Sequence, residues 1–125
     1  MNSTLTLMLD TSQIDVQVMV NNDSAAVING KCVVTLDLSK INKIYLSQLN
    51  ASDGKFFFIN HVYFGSLNIT QLMHYDDICV IHNIYTNNKI GHKGPVGSPD
   101  QMCITVGPDF CDLIIRNLRY VSYQQ

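Results

Sequence analysis

The sequence predicts an all-β protein: an antiparallel, jelly-roll-like β-sandwich of about 8–9 strands with one long end loop. The first observation is compositional. All ten acidic residues are Asp, and alanine occurs only three times. Glu and Ala are among the strongest helix formers, whereas the strand-favouring Val, Ile, Thr, Tyr and Phe make up about a third of the chain. The second observation is an alternation of apolar and polar residues, and the third is a set of Asn-Gly and Asp-Gly turn signals.

Three segments show the alternation most clearly, and in each of them one face is predicted to be buried. Their inward residues are Leu5, Leu7 and Leu9 in LTLML; Val16, Val18 and Val20 in DVQVMV; and Cys32, Val34, Leu36 and Leu38 in CVVTLDL. Five further strand-like runs are IYLSQL, KFFFINHVYF, ICVIHNIY, MCITV and DLIIRNLRYVSY. Short strands at such regular spacing are typical of a sandwich or jelly roll. No repeat or linker interrupts them, so residues 1–125 are predicted to form a single domain.

Two turns are explicit in the sequence. Asn29-Gly30 and Asp53-Gly54 each separate strand-like runs, and both dipeptides are strong hairpin signals because type I′ turns need positive φ. A two-residue loop at Asn29-Gly30 would pair Ile28 with Lys31 and Val27 with Cys32.

Two segments are ambiguous between helix and strand. SLNITQLMHY is compatible with a helical turn that crosses one end of the sheets. DLIIRNLRYV places Ile114, Leu118 and Val121 at helical spacing, but its β-branched content favours a bulged strand.

Residues 87–101, NNKIGHKGPVGSPDQ, form the least regular stretch, with three glycines and two prolines. We expect neither helix nor strand there, and a long connection of this kind is often functional. Its side chains offer amide and cationic donors for carbohydrate hydroxyls, carboxylates or a partner protein. These candidate binding residues are Asn87, Asn88, Lys89, His92 and Lys93. A passive surface loop, or one ordered by a neighbouring subunit, is the alternative.

Charge and composition exclude some partners and favour others. The net charge is −2 and no basic patch occurs, so no nucleic acid is expected. No apolar run is long enough for a transmembrane segment. Charged residues make up only 14% of the chain, and a surface so poor in charge is often covered by copies of the same protein or by a partner. Self-association is therefore expected.

The cysteines and histidines give no metal-binding spacing. Cys32, Cys79, Cys103 and Cys111 form no C-x-x-C pair, and the four histidines are far apart in sequence. Three of the cysteines lie in apolar alternating runs, where a free thiol behaves as a small hydrophobe. Buried thiols are favoured over disulfides, and no metal site or cofactor is predicted.

One segment resembles an enzyme motif. LMLDTSQI around Asp10 resembles the apolar-apolar-Asp-Thr-Gly turn of retroviral-type aspartic proteases, which are small all-β homodimers. The resemblance implies that two copies of Asp10 would share a proton across the dimer. Ser12 stands where that family has the glycine of this turn. Near the end of the chain, DLIIRNL (residues 112–118) resembles the apolar segment that precedes an Arg-Asn or Arg-Asp pair in the same family, but the glycine expected before Arg116 is missing. The other interpretation of Asp10 is a residue at the end of a strand.

We therefore expect a non-enzymatic β-sandwich module for attachment to a glycan or protein ligand, or for assembly. By analogy of class, it is of the viral structural, fibre-head or lectin-like type. The protease-like homodimer is the alternative. Four Asn-X-Ser/Thr sequons, at Asn2, Asn22, Asn50 and Asn68, favour a virion or extracellular surface, although an Asn-rich chain contains some by chance.

Overall fold

Twelve β-strands form two antiparallel six-stranded sheets in the computed structural model, which describes residues 2–123. In chain order the strands are β1 (Asn2–Asp10), β2 (Val16–Val20), β3 (Asp23–Ala25), β4 (Lys31–Asp37), β5 (Asn42–Gln48), β6 (Phe56–Phe64), β7 (Leu67–Asn68), β8 (Cys79–Asn83), β9 (Lys89–Gly91), β10 (Val96–Gly97), β11 (Asp100–Val106) and β12 (Ser122–Tyr123). The predicted all-β sandwich is confirmed. The strand number exceeds the predicted 8–9 because β3, β7, β9, β10 and β12 are too short to show an alternation in the sequence.

Sheet A has the strand order β12-β7-β6-β1-β4, and β10 also pairs with β6. Sheet B has the order β3-β2-β5-β11-β8-β9. The inward residues predicted in LTLML and CVVTLDL are all buried in the core, as are Val16 and Val18 of β2, while Val20 is half-buried. Strict alternation places every second side chain on one face, which is why the sequence identified this part of the core.

The turn at Asn29-Gly30 has the predicted geometry. Asn29 and Gly30 have φ of 52° and 76°, and Ile28 pairs with Lys31 as predicted. The prediction that Val27 pairs with Cys32 is wrong, because Ile28 and Lys31 form an isolated bridge. The chain crosses here from β3 in sheet B to β4 in sheet A, so the segments on either side of the turn diverge after the single residue pair Ile28–Lys31.

The second turn signal is a turn but not a hairpin. Gly54 has a φ of 77°, as a turn at Asp53-Gly54 requires. The strands on either side, β5 and β6, belong to different sheets, so the hairpin interpretation is wrong. Local turn chemistry sets the backbone angles, whereas the sheet that each strand joins depends on tertiary packing.

Each of the two ambiguous segments contains helical structure. A 3-10 helix at Thr70–His74 buries Leu72 and Met73, so of the two interpretations left open for SLNITQLMHY the helical turn is correct at these residues. The bulged strand predicted for DLIIRNLRYV is wrong: Phe110–Arg116 is the helix α1, and Leu118–Tyr120 is a second 3-10 helix.

Burial of one face explains why α1 is a helix. Phe110 and Ile114 lie four residues apart and are both buried, and the Phe110 ring packs edge-on against Phe64 at a centroid distance of 5.2 Å. This tertiary contact outweighs the strand propensity of the β-branched residues.

Residues 87–101 are more regular than the sequence predicted. The expectation of neither helix nor strand is wrong, because β9, β10 and the first residues of β11 fall within this stretch. The chain leaves sheet B after β9, pairs with β6 of sheet A through β10, and returns to sheet B as β11. Val96 and Gly97 are buried at this crossing. The segment therefore joins the two sheets across one end of the sandwich.

Candidate functional site

The hairpin between β8 and β9 projects a continuous exposed segment, residues 84–90, which we call the β8–β9 tip. Tyr85 is 84% exposed, and Ile84 and Ile90 are also largely exposed. Large apolar side chains at the end of a loop do not pack in the hydrophobic core. Exposed aromatic residues on loops are typical of binding surfaces. The tip is therefore the strongest candidate for a binding site.

Asn83, the last residue of β8, organises the tip. Its side-chain oxygen accepts hydrogen bonds from the backbone N–H groups of Tyr85 and Thr86, at 2.9 and 3.0 Å. Its carbonyl accepts from the N–H of Asn87 at 2.8 Å, and its own N–H donates to the Asn88 carbonyl at 2.9 Å. Short polar side chains stabilise turns in this way. Asn83 thus makes four hydrogen bonds to the backbone of the tip, and these stabilise its turn.

Asn87 adopts the backbone conformation that this turn requires. Its φ is 59°, in the left-handed region that Asn tolerates better than other non-glycine residues. The N–H of Asn88 then donates to the Thr86 hydroxyl at 3.3 Å. The side-chain amides of Asn87 and Asn88 appear in no hydrogen bond among the described residues, which leaves them available to a ligand.

A carboxylate from outside the hairpin ties down its base. Lys89 Nζ donates to both carboxylate oxygens of Asp76, at 2.7 and 2.9 Å. His92 Nδ1 lies 2.6 Å from Asp76 Oδ1. Asp76 therefore brings two of the predicted binding residues together.

The ion pair also affects the acidity of Asp76. The hydrogen bond from Lys89 lowers the pKa of the Asp76 carboxyl below its ordinary value, and the nearby His92 contributes in the same direction. Because both partners are more than a third exposed to solvent, the energy of this pair is small. Its role is to orient the base of the hairpin.

Two further bonds connect the hairpin to its surroundings. The N–H of Ile84 donates to the Pro99 carbonyl at 3.1 Å, next to the start of β11. The Cys79 thiol donates to the His92 carbonyl at 3.4 Å. Burial raises the pKa of Cys79 to about 12, so this thiol stays protonated and remains a donor.

The structure divides the five predicted binding residues into two groups. Asn87 and Asn88 are exposed on the tip, whereas Lys89 and His92 converge on Asp76. Lys93 is half-buried and belongs to no ion pair among residues 2–123. Sequence reasoning missed Tyr85 and Asp76. Tyr85 lies in the Asn-rich run NIYTNN, whose composition indicates a turn. No local sequence pattern places Asp76 beside Lys89.

Asp10, the carboxylate of the protease-like alternative, lies at the end of β1. Its Oδ1 accepts a hydrogen bond from the N–H of Ser12 at 3.0 Å. This bond lowers the pKa of the Asp10 carboxyl. A groove of about 520 Å³ is lined in part by the next residue, Thr11, together with Asp15 and Asn29, but Asp10 is not among its lining residues.

The cysteines are all free thiols. Cys32 and Cys79 are buried, Cys103 is half-buried and Cys111 is exposed. Burial raises the pKa of the Cys32 and Cys103 thiols as well. Among the residues that the structure describes, no three His, Cys or Asp side chains are grouped closely enough to hold a metal ion. None of the described helices has the length and apolar character needed to cross a bilayer.

Fold and site together define an antiparallel β-sandwich that carries an exposed, hydrogen-bonded hairpin tip at one end of sheet B. Comparison of the chain with models of protein families, with curated proteins and with solved structures found no match.

Proposed function

We propose that this protein is a non-enzymatic attachment module that binds a glycan or protein ligand through the β8–β9 tip. The observation that carries the proposal is the almost fully exposed Tyr85 on a hairpin whose turn is stabilised by hydrogen bonds to Asn83. Binding to a rigid loop loses little conformational entropy, so more of the contact energy appears as affinity.

The chemistry of the tip suits such ligands. A tyrosine offers a flat apolar face and a hydroxyl, so it can cover the C–H face of a sugar ring or fill a protein pocket. The amides of Asn87 and Asn88 can each donate and accept hydrogen bonds, as carbohydrate hydroxyls require. Ile84 and Ile90 add apolar area beside them. An apolar centre with polar neighbours is the usual arrangement of a protein-binding surface.

The protease-like alternative receives less support from the geometry. A catalytic pair of aspartates needs one carboxyl to keep its proton, which a raised pKa favours. The hydrogen bond from Ser12 acts in the opposite direction on Asp10. We therefore expect the wild-type protein to cleave no peptide at acidic pH. If the wild type cleaves peptides and Asp10→Asn abolishes that cleavage, the protease-like function would be favoured over attachment.

Virion or extracellular display fits an attachment role. Asn22 and Asn50, two of the four sequon asparagines, are exposed, so oligosaccharides could be added there without unfolding. Expression in a secreting eukaryotic cell, followed by digestion with an N-glycosidase, would show whether these sites are used.

The test of attachment is a binding screen with matched surface variants. The wild-type protein is applied to a glycan array and to intact cells, and any signal is then measured for Tyr85→Ala and for Ile115→Ala. Ile115 is an exposed apolar residue on α1, outside the tip. We expect Tyr85→Ala to weaken binding at least tenfold, as for an interface hot spot, and Ile115→Ala to leave it unchanged. Equal binding by both variants would show that the tip is not the attachment site.

A further inference from the structure

The two 3-10 helices, Thr70–His74 and Leu118–Tyr120, contribute to the walls of a cleft of about 320 Å³. The lining residues are Gln71, His74, Tyr75 and Tyr120, and we call this site the tyrosine cleft. Its volume is at the small end of the range for ligand pockets, which is about 300–1,000 Å³. The cleft is therefore suited to one small ring-shaped ligand.

Helical spacing directs two polar side chains to the first wall. Gln71 and His74 are three residues apart, and a 3-10 helix has three residues per turn, so both lie on the same face. Leu72 and Met73 lie between them in sequence and are buried in the core. Gln71 and His74 are exposed. The helix thus presents an amide and an imidazole to the cleft while its apolar residues anchor it.

Tyr75 follows this helix directly, and hydrogen bonds hold its backbone. Its N–H donates to the Leu72 carbonyl at 3.1 Å, and its own carbonyl accepts from the N–H groups of Ile78 and Cys79 at 3.0 and 2.9 Å. The side chain is 39% exposed. The turn is therefore stabilised while the tyrosine remains accessible to a ligand.

Tyr120 lies on the other wall and is restrained by its surroundings. Its N–H donates to the Asn117 carbonyl at 2.9 Å, and its side chain packs partly against the core. The Arg119 guanidinium carbon lies 4.8 Å from the centroid of the Tyr120 ring, a cation–π contact. Arg119 is not among the lining residues, so this contact leaves the cleft side of Tyr120 free.

The lining side chains share one chemical character. Each combines apolar surface with an atom that can form hydrogen bonds, and within residues 2–123 none of these polar side-chain atoms has a hydrogen-bond partner. No Asp, Lys or Arg is among the described residues that line the cleft, which favours a neutral ligand. The ligand should therefore combine an apolar face with hydrogen-bonding edges.

A sugar ring has this combination of properties. Its C–H groups form an apolar face that packs on an aromatic ring, and its hydroxyls both donate and accept hydrogen bonds. A proline-rich peptide also packs on aromatic rings, but proline has no N–H to offer the acceptor atoms of the cleft. The chemistry of the lining therefore favours a carbohydrate.

We propose that the tyrosine cleft is a carbohydrate-binding site that holds one neutral pyranose ring. Tyr75 and Tyr120 supply the aromatic surface, and Gln71 and His74 bind hydroxyls. The site lies near the start of β8, because Tyr75 is bonded to Cys79, whereas the β8–β9 tip follows the other end of that strand. It is a second site, beyond the proposed attachment function, and does not depend on it.

Saturation-transfer difference NMR on the full chain tests for binding. The probes are the methyl glycosides of glucose, galactose, mannose and N-acetylglucosamine, each up to tens of millimolar. We expect at least one to bind with a millimolar dissociation constant, as for a ligand of about a dozen non-hydrogen atoms. Saturation should be strongest at the C–H groups of one ring face, because that face contacts the tyrosines.

A matched pair of tyrosine variants locates the bound sugar. Tyr75→Ala and Tyr85→Ala each remove one exposed tyrosine, the first from the cleft and the second from the tip. We expect Tyr75→Ala to weaken binding about tenfold or more, and Tyr85→Ala to leave it unchanged. Tyr75→Phe keeps the ring and should weaken binding less than Tyr75→Ala.

A polar variant tests recognition of the hydroxyls. Gln71 is exposed, so Gln71→Ala should leave the fold intact while it weakens binding about threefold, as loss of one hydrogen bond predicts. Thermal melts of Gln71→Ala and of each tyrosine variant provide the control for folding.

The outcomes distinguish the cleft from the tip. Absence of binding by all four glycosides overturns the proposal, and so does binding of a proline-rich peptide instead, if Tyr75→Ala abolishes it. Sugar binding that folded Tyr75→Ala retains and Tyr85→Ala loses overturns it as well, but supports attachment through the tip. Loss in Tyr75→Ala alone supports the cleft, whatever ligand the tip binds.

Discussion

Asp76 and Lys89 meet at the base of the β8–β9 hairpin, where Lys89 Nζ donates to both carboxylate oxygens across thirteen residues of sequence. The pair links the segment before β8 to the first residue of β9. It therefore closes the hairpin from outside, while Asn83 orders the tip from within.

We expect the contribution of Asp76 to stability to disappear in acid. The carboxyl has a lower pKa in the folded protein than its ordinary 3.8, so it stabilises the fold above that pH. As the pH falls below 3.8 and then below the pKa of Asp76 in the folded protein, the carboxylate takes up a proton and its contribution to stability is lost. Melting temperatures of the wild type and Asp76→Asn should differ near neutral pH and converge in this acidic range. A difference in melting temperature that does not change with pH would contradict the ion pair. Asp77→Asn, which removes the neighbouring carboxylate instead, is the matched control.

Thiol reactivity should separate the four cysteines. Cys111 is exposed, whereas Cys79 is buried with a pKa of about 12 and cannot supply thiolate at mild pH. Native protein treated with a chromogenic disulfide at mildly alkaline pH should show one fast thiol. Cys111→Ser should remove that phase, and denaturant should expose the others. A fast phase that persists in Cys111→Ser would contradict this assignment.

Two glycines with the same backbone angle should differ in their tolerance of alanine. Gly30 and Gly54 have φ of 76° and 77°. An alanine in this left-handed region destabilises the fold by about 1 kcal/mol, because its Cβ approaches the backbone too closely. A Cβ at Gly30 would also clash with the carbonyl oxygen of Leu9, whereas one at Gly54 would meet open space. Denaturant unfolding should show a loss of about 1 kcal/mol for Gly54→Ala and at least about 2 kcal/mol for Gly30→Ala. Equal losses of unfolding free energy in the two variants would contradict the predicted clash at Gly30.

The crossing segment should contribute to stability through β10. Val96 is buried, and truncation of a buried valine leaves a cavity that costs about 2 kcal/mol. Ile90 in the same segment is mostly exposed, so Ile90→Ala should cost less than about 0.5 kcal/mol. Denaturant unfolding of both variants measures the difference. A neutral Val96→Ala would show that the segment is a passive loop.

The sequence by itself determined the class of fold and most of the long strands. Leu5, Leu7 and Leu9 could be assigned to the core because a period of two allows only one buried face. Asn29-Gly30 predicted its turn because few residues accept positive φ at both positions. These features depend on neighbours in the chain, so local chemistry suffices to predict them.

Tertiary structure decided what depends on distant residues. α1 is a helix because Phe110 and Ile114 find a buried face, although the segment has strand propensity. Asp53-Gly54 connects two sheets rather than two paired strands, and Val96 is buried because β10 meets β6. In the candidate site, the polar residues of the tip were visible in the sequence, but the contact between Asp76 and Lys89 was not. That contact forms only when the packed strands bring the segment before β8 beside β9, and no pattern within either segment specifies it.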